Sequence, residues 1–332
     1  MPKKYHVYGM GNALVDIVTE VSDAFVNEHA IEKGLMTLVD EERQHQLVNA
    51  IYLPGSDRQC GGSAANTIIG AAQFGASCFY SCKVANDEMG DFYHQDLTSN
   101  GVSTNLSPGN HEEGITGKCL VMTTPDAERT MNTFLGITAT YSPNEICEVS
   151  LKESEYLYIE GYLVTGDSSC EAMKTAKSLA EANGVKTALT FSDPSMVKYF
   201  KEPMTQVVGS GVDLLFCNEE EAMLFTDTET IASAKEALKS VARTFVITLG
   251  ARGALLFDGQ NEVQIAPFPT NAVDTNGAGD LFAGAFLYGI THGKSFAEAG
   301  KLASLASSRV VAKFGPRLSA NQAKETHYQL FA

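Results

Sequence analysis

From residue 156 onward, short apolar runs alternate with longer stretches in which apolar residues recur at helical spacing. This pattern predicts strands at 156–160, 186–191 and 212–217, each followed by a helix. The first of these helices is expected to begin with a capping box, Ser168-x-x-Glu171. Strands and helices that alternate at this spacing form parallel β-α-β units. The sequence therefore predicts an α/β fold with a doubly wound, mostly parallel sheet flanked by helices, whose ligands bind at the carboxyl ends of the strands.

The first half of the chain has a different pattern, with shorter apolar runs and tighter turns. Strands are predicted at 5–9, 14–21 and 35–39, and two further strands at 115–123 and 130–135 are joined by a turn that contains Pro and Asp. Strands of this kind are more typical of a small sheet that covers a site than of a buried core. We therefore expect a second, smaller sheet beside the main one.

Composition and charge narrow the classes of function. The 332 residues are 44% hydrophobic, which is ample for a packed core. The net charge of −16, from 24 Lys and Arg against 40 Asp and Glu, argues against a nucleic-acid partner because phosphate backbones bind basic surfaces. No apolar run reaches the roughly 18 residues of a membrane span, and the sequence opens on strand-like residues without a signal-type segment. We expect a cytoplasmic protein without a membrane partner, whose seven scattered cysteines stay reduced.

The segment Asp274–Asp280 (Asp-Thr-Asn-Gly-Ala-Gly-Asp) immediately precedes the apolar run 281–290. Small residues at the start of a helix leave backbone N–H groups uncovered at its positive end, so an anion can approach closely. Asp280 would lie in the first turn of that helix, where its carboxylate could accept a proton. A phosphate-binding loop beside a base suggests phosphoryl transfer to a hydroxyl. The alternative is an ordinary glycine loop in which the Asp caps a helix.

Two further patterns suggest a binding site near the start of the chain. Gly61 and Gly62 open an Ala-rich and Ile-rich helix, and paired glycines there permit close backbone approach to a ligand; the alternative is that they serve only packing. Asp16 stands in an apolar segment, where an acidic residue is costly to bury unless something pairs with it. Its alternative is a position on an edge strand that faces water.

Asn218 and Glu221 follow the predicted strand 212–217 directly, at the edge of the sheet where ligands bind. Carboxylate and amide oxygens suit Mg²⁺, which usually keeps several of its waters. The alternative is an acidic first helical turn favoured by the helix dipole, which explains the run Glu219–Glu221 equally well.

Four motifs resemble those of the ribokinase-like (PfkB) carbohydrate kinases, in family order and at family spacing over nearly the whole chain. They are Gly61-Gly62-x-x-x-Asn66, Asn218-x-x-Glu221, Thr248-x-Gly250-x-x-Gly253 and the Asp274–Asp280 heptad. Within that family, the Asn276-Gly277 form of the heptad and the opening Gly11-Asn12-x-Leu14-x-Asp16 are similar to the adenosine kinase branch. The resemblance implies one kinase domain across 1–332 with a β-sheet lid built from parts of about 13–40 and 103–135.

The resemblance also implies roles for individual residues. Asp280 would be the catalytic base, the backbone of Gly277, Ala278 and Gly279 the anion hole, and Arg129 a lid residue that meets the transferred phosphate. The residues that would bind the acceptor are Asn12, Leu14, Asp16, Gly61, Gly62, Ser63, Asn66 and Tyr162. The residues that would bind ATP are Asn218, Thr248, Gly250, Gly253, Asp274 and Thr275. Asn218 and Glu221 would hold magnesium, mostly through water.

The implied reaction is transfer of the ATP γ-phosphoryl group to a primary hydroxyl, with the 5′-hydroxyl of adenosine as the expected acceptor. Ser63 stands where ribokinases have a Lys, which favours a nucleoside, whereas Tyr162 is a lone aromatic where the adenosine kinase branch has several. The alternatives are a kinase of a free sugar such as fructose, ribose or a sugar acid, and a non-catalytic nucleotide-binding protein. Mg²⁺ is expected, K⁺ is a common requirement of the family, and the enzyme would be a monomer or a homodimer.

Overall fold

The computed structural model of the protein describes residues 3–51, 58–107, 109, 111–126 and 128–331. The strands are β1 (Tyr5–Met10), β2 (Leu14–Glu20), β3 (Met36–Leu38), β4 (Arg58–Gly61), β5 (Cys78–Ser81), β6 (Ser103–Thr104), β7 (Thr116–Thr123), β8 (Arg129–Gly136), β9 (Ser154–Ile159), β10 (Lys186–Thr190), β11 (Val212–Asn218), β12 (Ala242–Thr248), β13 (Ala254–Phe257) and β14 (Glu262–Ile265).

The α-helices connect and flank these strands, and short 3₁₀ turns, among them Gly161–Thr165, lie between them. The helices are α1 (Asp23–Glu28), α2 (Glu41–Ala50), α3 (Ser63–Phe74), α4 (Glu88–Ser99), α5 (Glu148–Lys152), α6 (Asp167–Ala182), α7 (Pro194–Tyr199), α8 (Lys201–Val208), α9 (Glu219–Thr226), α10 (Ile231–Leu238), α11 (Ala278–Thr291), α12 (Phe296–Val310) and α13 (Ala320–Phe331).

The larger sheet has the strand order β14-β13-β12-β11-β10-β9-β1-β5-β6. Neighbours from β6 to β12 run parallel, and β13 and β14 add an antiparallel edge. The chain winds outward from β1 in one direction and from β9 in the other, so the strand order switches between these two strands. Ligands of open α/β sheets bind outside the carboxyl ends of the strands at such a switch. The predicted doubly wound, mostly parallel sheet flanked by helices is confirmed.

Helices cover both faces of this sheet because successive strand side chains point to opposite faces. Val7 of β1 packs into the cluster formed with α3, α11 and α12, whereas Tyr8 packs into the cluster formed with α6 and α8. Helix α11 is buried along most of its length. A Cβ on its Gly284 would lie 2.4 Å from the Thr67 carbonyl oxygen of α3, so only glycine permits this close approach. The approach brings the N-terminal ends of α3 and α11 together.

The smaller sheet has the order β3-β8-β7-β2-β4. Alternate side chains of β2 and β7, including Ile17 and Leu120, pack outward against Val26 of α1 and Leu47 of α2. The opposite set faces the carboxyl end of the larger sheet. Strand β4 belongs to this sheet and lies outside the predicted lid segments, because its short polar and Gly-containing sequence carries no strand pattern.

The expected capping box at the start of α6 is wrong. The helix begins at Asp167, its N-cap is Gly166, and Ser168 lies inside the first turn. Ser169 ties the start of the helix to the preceding turn instead, since its hydroxyl donates to the Leu163 carbonyl 2.5 Å away. Among the described residues, no helix is long and apolar enough to cross a membrane.

Candidate active site

A cavity of about 360 Å³ lies between the carboxyl ends of the larger sheet and the inner face of the smaller sheet. Most of the predicted site residues line it: Asn12, Leu14, Asp16, Gly62, Ser63, Asn66, Arg129, Tyr162, Asn218, Glu221, Thr248, Thr275, Gly277, Ala278, Gly279 and Asp280. The structure thus brings together residues that are more than 260 positions apart in the sequence. As far as the described residues show, Gly61, Asp274, Gly250 and Gly253 are not part of this lining.

The loop before α11 is held in place from behind. Gly277 adopts φ 69°, and a Cβ there would lie 2.4 Å from Cβ of Pro316, so the position requires glycine. Asp274 is buried, and its carboxylate accepts the N–H groups of Asn276 at 2.9 Å and Gly315 at 3.0 Å. Asp274 therefore shapes the loop from below, whereas the prediction placed it among the residues that contact ATP.

Asp280 lies in the first turn of α11, and its carboxylate is held from both sides by α3. The Ser63 hydroxyl donates to Oδ1 at 2.7 Å, and the Asn66 amide donates to Oδ2 at 3.3 Å. Burial raises the pKa of Asp280 to about 6, although these hydrogen bonds and Arg129 oppose the rise. The group is therefore ionised at neutral pH and more basic than an ordinary aspartate, which suits a general base.

Asp16 is 5% exposed on β2, which runs between β7 and β4, so the alternative of an edge strand facing water is wrong. Burial raises the pKa of Asp16 to about 7, against the opposing charges of Arg317 and Arg129. A Cβ on Gly61 of the adjacent strand would lie 1.9 Å from Oδ1 of Asp16. Gly61 therefore makes room for this carboxylate, although it does not itself line the cavity.

Gly62 has a related requirement, since it adopts φ 95° and a Cβ there would lie 2.2 Å from the Asn12 carbonyl oxygen. The pair Gly61-Gly62 lets β4 and the start of α3 approach β2 and the loop that follows β1. The close contacts of both glycines agree with the packing alternative. The same contacts also place Asp16 and Asn12 at the cavity wall.

Glu160 follows β9 and lines the cavity, although it belongs to none of the motifs in the sequence. It is 1% exposed and accepts hydrogen bonds from the Asn12 side chain at 2.9 Å and the Ala64 N–H at 2.8 Å. Burial raises the pKa of Glu160 to about 7 despite these bonds. Glu160 thus joins the loop after β1 to the start of α3. The signal that could have found it is an acidic residue at the carboxyl end of an apolar parallel strand.

Arg129 begins β8 and projects from the inner face of the smaller sheet. It lines the cavity, and its Nη1 lies 3.8 Å from Oδ1 of Asp274. A second arginine, Arg317, lies near the carboxylates of Asp16 and Asp280. It was not predicted from the sequence because it stands 37 residues after Asp280 in a segment without a motif. Both arginines oppose the effect of burial on the pKa of Asp16 and Asp280.

Asn218 and Glu221 form a capping box at the start of α9. The Asn218 side-chain oxygen accepts the Glu221 N–H at 2.8 Å, and the Glu221 carboxylate accepts the Asn218 N–H at 3.0 Å and its side-chain amide at 2.8 Å. Glu221 is 4% exposed, and burial raises its pKa to about 8. These bonds favour the helix-start alternative for the pair. Among the described residues, no group of three or more His, Cys, Asp or Glu is arranged to hold a metal ion.

Thr248 ends β12 next to Asn218 of β11 and lines the cavity with it. Beyond it, Gly250 and Gly253 form a turn with φ 57° and 89°, and a Cβ on Gly253 would lie 2.0 Å from the Ile265 carbonyl oxygen. Gly253 is therefore required by the close approach of the strand end at Ile265. As far as the described residues show, neither glycine lines the cavity, and Gly250 is exposed.

The inner face of the smaller sheet forms an apolar wall. Because strand side chains alternate, Leu14 and Asp16 of β2 point to the same face as the inward residues of β7 and β8. The apolar residues of this wall are Leu14, Met36, Leu38, Cys119, Val121, Met131 and Leu135. The aromatic residues of the lining are Tyr158 of β9, Tyr162 in the 3₁₀ turn after β9, Phe216 of β11 and Phe282 of α11. The cavity therefore has Asp280, Glu160 and the amides of Asn12 and Asn66 on the side of the larger sheet. The apolar wall, together with Asp16 and Arg129, lies on the side of the smaller sheet.

The position of Asp280 beside the start of α11 is chemically suited to phosphoryl transfer to a hydroxyl. Backbone N–H groups at the start of α11 can donate hydrogen bonds to a negatively charged phosphoryl group, and Asp280 lies beside them with its carboxylate oriented by Ser63 and Asn66. A hydroxyl placed against Asp280 would lose its proton as the phosphoryl group arrives.

Comparison with known proteins agrees with this geometry. Residues 35–323 match the profile of the pfkB family carbohydrate kinases. The crystal structure of adenosine kinase from Sinorhizobium meliloti is similar to this chain with a TM-score of 0.90 and 33% identity, covering 98% of this chain and 99% of that one. A probable sugar kinase from Rhizobium etli CFN 42 has a TM-score of 0.91 and 31% identity, with the same coverage.

A plant protein extends the comparison beyond bacteria. Adenosine kinase 1 of Arabidopsis thaliana is 27% identical over an alignment that covers 92% of this chain and 94% of the plant protein. The family predicted from the four motifs is confirmed. The chain belongs to the pfkB family of carbohydrate kinases, whose members are ATP-dependent phosphotransferases.

Proposed function

We propose that this protein transfers the γ-phosphoryl group of ATP to the 5′-hydroxyl of adenosine. The observation that carries the proposal is the composition of the cavity, in which Asp280 and the start of α11 lie opposite an apolar wall. Asp280 accepts the hydroxyl proton as the new bond forms. The N–H groups from Gly277 to Asp280, together with the dipole of α11, stabilise the charge that spreads over the phosphoryl oxygens.

Asp16, Asn66 and the Gly62 backbone would bind the ribose hydroxyls. The Asp16 carboxylate is buried, and none of the hydrogen bonds found among the described residues uses it. A buried carboxylate costs free energy unless something donates to it, and two adjacent ribose hydroxyls are suitable donors. Substrate binding would therefore supply the partners that the protein does not.

The apolar wall supports a nucleoside over a free sugar. A purine ring gains mainly from stacking and burial, so it needs flat or aliphatic surroundings. Val121, Met131 and Leu135 extend the surface formed by Leu14 and Tyr162, which were predicted to bind the acceptor. A free sugar, which carries hydroxyls on every side, would leave several of them unpaired against this wall.

Magnesium would enter with the ATP phosphates. Both Glu221 oxygens already accept hydrogen bonds from Asn218, so this donor set fits an ion held through water and phosphate oxygens and does not fit a cage of direct protein ligands. When bound, the ion would neutralise charge on the phosphates. A potassium requirement stays a prediction from the family resemblance.

The whole chain would act as one kinase domain with the smaller sheet as its lid. The sheet carries Asp16 and Arg129 on the face that lines the cavity, so closure would complete the site and exclude water at the same time. Exclusion of water matters because water would otherwise accept the phosphoryl group and ATP would be hydrolysed.

A panel of acceptors in one ADP-release assay tests the proposal. With saturating Mg-ATP, adenosine is expected to exceed ribose, fructose and sugar acids in kcat/KM by at least about tenfold. Faster phosphorylation of fructose than of adenosine would remove the nucleoside assignment and leave the kinase chemistry. Failure of every acceptor, with ATP still bound in a calorimeter, would favour a non-catalytic nucleotide-binding protein.

A pair of variants tests the apolar wall itself. Met131→Ala removes part of the cavity wall, whereas Val48→Ala removes a partly buried aliphatic side chain from α2 on the outer side of the same sheet. The first is expected to lower kcat/KM for adenosine more than for ribose, and the second to leave that ratio unchanged. Equal ratios in both variants would count against purine packing on this wall.

A further inference from the structure

Arg317 lies between α12 and α13 and makes a buried connection that the predicted roles do not use. It is 9% exposed, and its guanidinium donates through Nε to the Asn66 side-chain oxygen at 3.0 Å and through Nη1 to Oδ2 of Asp96 at 3.0 Å. A guanidinium that reaches two separate elements with its rigid fork fixes both of them. The partners here belong to α3 and α4.

The contact with Asn66 determines how that amide is oriented. An arginine side chain carries only donors, so the Asn66 carbonyl oxygen must face it. The NH₂ group of the same amide must then point the other way, and it donates to Oδ2 of Asp280 at 3.3 Å. Without Arg317, only the 3.3 Å hydrogen bond to Asp280 would select between the two orientations of the amide.

The contact with Asp96 extends the connection to the smaller sheet. Oδ2 of Asp96 also accepts the N–H of Cys60, in the edge strand β4, at 2.8 Å. Burial acts to raise the pKa of Asp96, but Arg317 and this hydrogen bond keep that pKa below its ordinary value. A continuous set of hydrogen bonds therefore runs from β4 through Asp96, Arg317 and Asn66 to Asp280.

We propose that Arg317 is a positioning residue of the phosphoryl-transfer site: it orients the Asn66 amide toward Asp280, and its positive charge favours the ionised form of that carboxylate. This inference rests on the proposed role of Asp280 as the base. Arg317 acts through Asn66, so it is not itself a catalytic residue.

Other ionisable groups also act on Asp280 and must be held constant in any test. Those that face it from the surrounding elements are Asp16 of β2, Arg129 of β8, Tyr158 of β9, Glu160 and Tyr162 after β9, and Arg317. Because the two arginines are the positive charges in this set, loss of Arg317 leaves Arg129 alone against the buried carboxylates.

The test compares the pH dependence of kcat in wild type, Arg317→Met and Arg317→Lys. In Arg317→Met, the acid limb of the pH profile is expected to move to higher pH by roughly 0.5 unit or more. An adjacent opposite charge typically lowers a carboxyl pKa by about 1 to 3 units, and the effect of Arg317 is smaller because Asn66 lies between it and Asp280. Rates well below the limb would then fall about 3- to 10-fold. Arg317→Lys keeps the charge but cannot hold Asn66 and Asp96 together, so it should lower the plateau of kcat and move the limb less.

Arg309→Met is the matched control. Arg309 of α12 also ties down the C-terminal segment, through Thr326 at 2.8 Å, but it is remote from the carboxylates of the cavity. It is expected to lower the melting temperature and to leave the acid limb in place. A limb that stays at the wild-type position in Arg317→Met, or a wild-type plateau in Arg317→Lys, would overturn the inference and make Arg317 a structural brace like Arg309.

Failure of the Arg317 test can be distinguished from failure of the proposed function. The pH profiles use whichever acceptor the wild type phosphorylates, so a preference for a sugar over adenosine leaves this test intact. If no acceptor is phosphorylated, titration of the Asp280 carboxyl carbon by NMR replaces kinetics. An unchanged titration midpoint in Arg317→Met would again overturn the inference, and a raised midpoint would support it.

Discussion

Gly61→Ala is expected to displace Asp16 from the acceptor site while leaving the fold nearly intact. The new Cβ would lie 1.9 Å from Oδ1 and 2.2 Å from Cγ of Asp16, so the carboxylate has to move. The backbone of Gly61 lies outside the left-handed region that disfavours alanine, and alanine loses less conformational entropy than glycine on folding. The clash therefore falls on the carboxylate and not on strand β4.

The expected loss follows from what Asp16 would contribute to binding. A hydrogen bond to a buried charged group is worth about 1.5 to 3 kcal/mol. Displacement of Asp16 should therefore lower kcat/KM for adenosine by about 10- to 150-fold. The KM for ATP should change little, since Asp16 lies on the acceptor side of the cavity. Asp16→Ala should cause a loss of similar size, because it also leaves the ribose hydroxyls unpaired.

A double-mutant cycle shows whether the effect runs through Asp16. If it does, Gly61→Ala adds no further loss to Asp16→Ala, because the displaced group is already absent. The assay is ADP release at varied adenosine, with thermal melting of each variant as the control for folding. Losses that add in the double variant would refute the close-approach reasoning, since Gly61 would then act independently of Asp16.

Three other changes test the rest of the site. Asp280→Asn keeps the shape of the side chain and removes the base, so kcat should fall by about 10²- to 10⁴-fold with ATP binding retained, and a variant that keeps more than about a tenth of the wild-type kcat would exclude Asp280 as the base. Asn218→Ala and Glu221→Ala should raise the Mg²⁺ concentration for half-maximal rate more than the KM of the acceptor, and they should also lower stability by about 1 kcal/mol through loss of the cap; the reverse order of effects in a magnesium titration would place the pair on the acceptor side. Asp16→Asn should make the free energy of unfolding less dependent on pH between about 4 and 7. Burial raises the folded-state pKa of Asp16 to about 7, so in this window the native protein binds a proton that the unfolded chain releases. The stability of the wild type therefore falls as the pH rises through this window. Denaturation at pH 5 and pH 8 measures this, and equal differences in wild type and variant would contradict it.

The local features of this protein could be derived from its sequence. Helix starts at Ser22, Asp40, Asp87 and Ser295 carry their own capping side chains, and each accepts an N–H from the first turn. The apolar strands of the larger sheet and the glycine loop before α11 are likewise visible as short-range patterns. The predicted capping box at Ser168 is wrong because a capping sequence competes with the conformation of the turn that precedes it. Here the turn ends at Gly166, which is the N-cap of α6.

The fold class and the family were therefore determined by the sequence, because each rests on residues that interact with near neighbours or form a contiguous motif. Only the tertiary structure decided what surrounds Asp280, the proposed base. Ser63 and Asp280 are 217 positions apart and meet because Gly284 lets α11 approach α3 closely. Glu160 and Arg317 carry no motif, and their roles arise from buried hydrogen bonds to loops and helices that no local pattern specifies. Strand β4 has too few apolar residues to be recognised, and it forms because β2 and the buried Asp16 pair with it across the sheet. A charge or a hydrogen bond acts through space, so its partner along the chain becomes known only when the chain is folded.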